Sequence, residues 1–68
     1  MNRSQAMKEA SRRWKKPLIS DGTDKRVGYY QMGFFCVQGH GSTFEEAFAL
    51  ADKNAEAEKR QLQELKHA

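Results

Sequence analysis

The sequence predicts an α+β fold: an N-terminal helix, a small two- or three-stranded antiparallel sheet and a long C-terminal helix. Three observations lead there. Apolar residues recur at helical spacing in both end segments, the middle segment is rich in β-branched and aromatic residues in alternation, and Pro17 and a glycine-rich stretch stand at the two junctions.

From about residue 4 to 16 the chain has good helix formers without Gly or Pro, and Met7, Ala10 and Trp14 fall on one face. Ser4 or Asn2 can cap this helix, Glu9 can pair with Arg13 one turn on, and Pro17 disfavours helical geometry at Lys16 and so stops it. Strands are expected within residues 18–38. Leu18 and Ile19 form a short first strand before the turn signal Asp21-Gly22, and Val27, Tyr29, Phe35 and Val37 alternate with Gly28, Tyr30, Phe34 and Cys36. Gln31, Met32 and Gly33 make a tight connection between two of these strands.

Gly39 to Thr43 reads as a turn leading to a cap, in which Ser42 or Thr43 works with Glu45 or Glu46 three residues on. The second helix, from about 43 to 66, carries Phe44, Phe48, Ala51, Ala55, Leu62 and Leu65 in steps of four and three, with Glu58 where one more apolar residue would fall. A helix of that length outruns a small sheet, so its last turns project beyond the core. Leu62 and Leu65 are then candidates for self-association into a homodimer.

Sixty-eight residues suit one domain spanning 1–68. A core of that size rarely supplies more than ~3–5 kcal/mol. Cys36 is the only cysteine and the two histidines lie apart, so neither a disulfide framework nor a closed zinc site is expected, and no cofactor is implied. A lone thiol and the lack of a long apolar run point to the cytoplasm and away from a membrane. The net charge of +3 is unevenly spread: residues 1–30 hold eight Lys/Arg against three acids, residues 31–68 four against six. A basic front half suits an acidic partner, either nucleic acid or an acidic protein surface.

Catalysis finds little support. Cys36 sits in an aromatic strand, where cysteine packs as a small hydrophobe, and Glu45 and Glu46 point about 100° apart on a first helical turn that favours acids. The glycine-rich entry to the second helix lacks a lysine, and these two glutamates would repel an anion there. The phosphate-contact candidates are instead Lys8, Arg12, Arg13, Lys15 and Lys16 on the first helix, since each cation that neutralises a phosphate releases counterion. Trp14 is either core or a stacking platform for a base, and one of Tyr29 and Tyr30 should be exposed beside Lys25 and Arg26.

Thr43, Phe44, Glu45, Glu46 and Ala47, followed by Asp52 and Ala55, resemble the sheet-to-helix junction of Apetala-type DNA-binding domains and of phage integrase arm-binding domains. The resemblance spans about thirty residues. It implies a three-stranded sheet laid in the major groove and backed by one helix, with Lys25, Arg26, Tyr29, Tyr30 and Gln31 facing the groove. The same pattern resembles the junction in HicB-type antitoxins. The order helix, strands, helix also resembles a double-stranded RNA-binding domain, but such domains place lysines where this chain has Glu45 and Glu46, which ranks DNA above duplex RNA. In length and mixed charge the chain resembles small phage accessory proteins, such as anti-CRISPR proteins and polymerase inhibitors, which occlude a partner surface.

The expectation is therefore a non-catalytic, nucleic-acid-associated binding module. Its alternative is an inhibitor or regulator of phage type that acts by protein–protein occlusion.

Overall fold

A computed structural model describes the backbone of residues 1–67 and the side chains of residues 1–61. The order of elements is α1 (Arg3–Arg13), β1 (Pro17–Asp21), β2 (Lys25–Gln31), β3 (Phe34–Gly41) and α2 (Phe44–His67). The strands form one antiparallel sheet in the order β1-β2-β3, and the fold is α+β as expected.

Asn2 caps α1. Its side chain accepts from the Gln5 amide at 2.9 Å, and the Gln5 side chain accepts from the Asn2 amide at the same distance, so two otherwise orphaned donors are satisfied reciprocally. The helix ends at Arg13 rather than near Lys16. Trp14 is already extended, with φ −130° and ψ 150°, and its indole stacks on Phe48 with ring centroids 6.3 Å apart. Apolar packing of the largest side chain of the segment thus ends α1 before Pro17 does. The buried face of α1 is Ala6 and Ala10, while Met7 is exposed. Small residues allow the close approach, and Met7 lies to one side of it.

The β2–β3 hairpin turns on two residues, Met32 and Gly33, both with positive φ (52° and 86°), as a type I′ turn requires. The connection is one residue shorter than the three expected from Gln31 to Gly33. That residue matters, because a one-residue slip moves every side chain of a strand to the other face. Tyr30 accordingly lies opposite Phe35, and Tyr29 opposite Cys36. Phe35 and Val37 share a face with Tyr30 rather than with Val27 and Tyr29.

Strand β3 also runs further than expected, through Gly41, and bulges: Val27 pairs with Gly39 and Gly28 with Val37, leaving Gln38 between them. The glycines of the 39–43 stretch are therefore strand residues. Gly39 is where α2 touches the sheet, since a Cβ there would stand 1.9 Å from the Ala47 carbonyl oxygen. Only hydrogen in place of a side chain lets the helix approach so closely. The cap itself follows at Thr43, whose hydroxyl accepts from the Glu46 amide at 3.2 Å, while the Glu46 carboxylate accepts from the Ser42 amide at 2.9 Å. Glu45 accepts from the Met1 ammonium, which holds its carboxyl below the ordinary range.

Both helices pack on the same face of the sheet, α1 mainly against β1 and α2 mainly against β3. The core between them is Ala6, Ala10, Val27, Phe44, Ala47, Phe48 and Ala51, with Trp14 and Ile19 packed against it. The apolar stripe of α2 leaves this core after Ala51: from Asp52 to Gln61 every side chain, Ala55 included, is exposed. The helix projects as its length implied. The side chains of Leu62 and Leu65, and with them the self-association expected there, lie outside the described residues. No described helix is long and apolar enough to cross a membrane.

Candidate nucleic-acid interface

Cross-strand partners share a face, so the register sorts the sheet residues into two sets. Ile19, Lys25, Val27, Tyr29, Cys36, Gly39 and Gly41 face the helices. Leu18, Ser20, Arg26, Tyr30, Phe35, Val37 and His40 form the opposite face, which neither helix covers. Lys16 joins this second set, because its carbonyl accepts from the Tyr30 amide at 2.8 Å and so continues the β1–β2 ladder by one residue.

The residues expected to face a groove are thereby divided. Arg26 and Tyr30 are on the uncovered face, and Tyr30 is 47% exposed. Lys25 is turned inward: its ammonium lies over the Phe44 ring at 5.7 Å, donates to the Gly22 carbonyl at 2.9 Å and pairs with Asp21. Tyr29 is half-buried, with its ring tilted against Trp14 at 6.3 Å. Gln31, opposite Phe34, ends the strand on the helix side. Trp14 is thus half-buried, with one ring face against the core and Tyr29 at its other flank.

The basic face of α1 is divided too. Glu9 binds both arginines, accepting from Arg12 Nε at 3.2 Å and from Arg13 Nε at 2.9 Å. These guanidinium groups, Arg12 foremost, pull the Glu9 carboxyl down to about 2. Arg13 reaches further, pairing with Asp52 on α2 and lying over the Phe48 ring at 4.9 Å. Two of the five cations expected to grip phosphate on α1 are therefore held by the chain's own carboxylates. Among the described residues no carboxylate lies within 4 Å of Lys8, Lys15 or Lys16. Lys8 stands on α1 near Arg3, Met7 and Ser11, whereas Lys15 and Lys16 follow the helix and lead into the sheet.

On the uncovered face the strand residues include no acid. Among the described residues the carboxylate paired with this face is Asp24 of the β1–β2 loop, which pairs with Arg26 at 3.1 Å and lies 3.7 Å from His40. Both partners remain more than half exposed, so the Arg26 pair is of the solvated kind that contributes about 0–1 kcal/mol and yields readily to another anion.

Sequence reasoning missed Leu18, Phe35, Val37 and His40 as members of this surface. The signal for Phe35 and Val37 was present in the Met32-Gly33 dipeptide, whose two-residue turn sets them across from Tyr30 and Gly28. Among the described residues no cluster of three or more His, Cys, Asp or Glu side chains has metal-ligand spacing. No family model, curated protein or solved structure matches the chain.

Proposed function

We propose that this protein is a small, non-catalytic, nucleic-acid-associated binding module whose contact surface is the uncovered face of the sheet together with Lys15 and Lys16. One observation carries the reading: that face interleaves Lys16, Arg26 and His40 with Tyr30 and Phe35, and its strands contribute no carboxylate. Cations give sequence-independent affinity for phosphate, and exposed rings add stacking or groove contact. Lys8, Arg12 and Arg13 are secondary in this account. The start of α2, with Glu45 and Glu46, takes no part, which argues against the way double-stranded RNA-binding domains meet phosphate.

The test is affinity for a labelled oligonucleotide measured against salt concentration. Each lost phosphate contact lowers the log-log slope by about 0.9 on duplex DNA, so changing Lys16 and Arg26 together to Gln should lower it by about 2, while Lys8→Gln leaves it nearly unchanged. A slope lowered by Lys8→Gln and left unchanged by the Lys16/Arg26 pair would return the contact to α1.

A second reading, occlusion of a partner protein in the manner of a phage inhibitor, is favoured by the apolar side chains around the hairpin. Met32 is 88% exposed and Phe34 73%, which suits a hydrophobic anchor. Binding that ignores salt and is lost on changing Met32 and Phe34 to Ser would support it.

A further inference from the structure

At the end of the sheet where β1 begins and the β2–β3 hairpin turns, an open cleft of about 710 Å³ is lined by Arg13, Trp14, Lys15, Lys16, Tyr29, Tyr30, Gln31 and the Met32-Gly33 turn. Its volume falls within the usual ~300–1,000 Å³ range of small-ligand sites. Three aromatic rings and three cations line it, and no carboxylate does. Arg13 is occupied by Glu9 and Asp52, so the available charge is that of Lys15 and Lys16. An occupant must therefore offer a flat apolar ring and an anion within one short reach. Gln31 adds to the lining an amide with both donor and acceptor, the pair of functions that the edge of a base matches.

Bases inside a duplex lie stacked on one another and present only their edges, so a cleft lined by aromatic side chains suits a base that has left the stack. From this we infer that the cleft takes one unpaired nucleotide of a single strand, with its base against Tyr30 and the exposed part of Trp14 and its phosphate on Lys15 and Lys16. The inference rests on the nucleic-acid reading above and narrows it. Single-stranded DNA and RNA share the chemistry required, a stacking base next to a phosphate.

Trp14 is the only tryptophan, so its fluorescence reports on this cleft and on the Phe48 packing behind it. The experiment titrates the full chain with oligodeoxyuridine of about eight nucleotides, with oligouridine of equal length and with a blunt DNA duplex, following both Trp14 emission and the anisotropy of a labelled strand. The expected result is saturable quenching by one or both single strands and little by the duplex; the two strands tell which sugar is preferred. Tyr30→Ala should weaken that binding by about 5- to 150-fold, as loss of one stacked base does. The Lys15→Ala/Lys16→Ala double variant, which removes two solvent-exposed charges and leaves every core residue in place, should lower the salt slope for a single strand by about 1.4. Equal quenching by the duplex, or unchanged affinity in both variants, overturns the unpaired nucleotide. Salt-dependent duplex binding without quenching by either strand overturns the cleft and leaves the broader module standing. No binding to any of the three overturns both.

Discussion

Arg13, the last residue of α1, is joined to Asp52 on α2 across 39 positions of chain, with Nη2 to Oδ2 at 3.3 Å beside a closer Nη1–Oδ1 contact. The same guanidinium accepts no further duty easily, since its Nε is held by Glu9 and its plane lies over Phe48. It ties the two helices together over the core. Arg13→Ala should cost about 1–2 kcal/mol, from the cation–π contact and the mostly solvated ion pairs together, and should leave nucleic-acid affinity within about twofold. Urea denaturation and a binding titration on the same variant check this; intact stability with lost binding would reverse the assignment.

Gly39 allows α2 to lie against β3. A methyl group there would have to displace the Ala47 carbonyl and the Ala51 amide, at 1.9 and 2.7 Å, and both are backbone. Gly39→Ala should therefore cost about 3 kcal/mol or more, most of what a domain of this size has to lose. Circular dichroism should find it largely unfolded at room temperature, and a stable variant would mean that α2 does not sit where described.

Met32 stands at φ 52°, in the left-handed region, with its side chain almost wholly in solvent. Asn favours that conformation and suits the first central position of a type I′ turn. Met32→Asn should raise stability by about 0.5–1 kcal/mol, which in a domain this small raises Tm by about 2–8 °C in a thermal melt. A lower Tm would show that the Met32 side chain has a packing role within the chain.

Glu9 brings a pH dependence. Its carboxyl is depressed to about 2 in the fold, chiefly by Arg12 and then Arg13, against an ordinary 4.5. The unfolded chain therefore binds a proton at Glu9 before the folded chain does. The stabilisation is complete above about pH 4.5 and is lost as pH falls towards 2. Glu9→Gln should reduce stability at neutral pH and flatten the acid limb of the Tm–pH curve, and an unchanged acid limb would assign it to other carboxylates.

Much of this architecture is legible in the sequence because local and global signals agree. The capped helix entering at Phe44, the alternation through β2 and the Glu9–Arg13 pairing all follow from periodicity and spacing. The errors arise where a long-range contact overrides a local rule. Trp14 fits the helical stripe of Met7 and Ala10, yet it leaves the helix to stack on Phe48, thirty-four residues away. Gly39 and Gly41 read as loop glycines because nothing nearby reveals the helix that presses on them. The candidate site is less legible still. Counting charges on α1 cannot reveal that Arg13 meets Asp52, and the membership of the uncovered sheet face depends on whether the hairpin loop has two residues or three.

The most direct test of the central claim is an amide chemical-shift map. The ¹⁵N-labelled chain is titrated with the oligonucleotide that it binds best. The account predicts that the shifts gather on Lys15, Lys16, Leu18, Arg26, Tyr30, Phe35 and Val37, and that Arg3, Met7, Lys8 and Ser11 on the outer side of α1 stay still. Shifts confined to α1, or none with any nucleic acid, would contradict it.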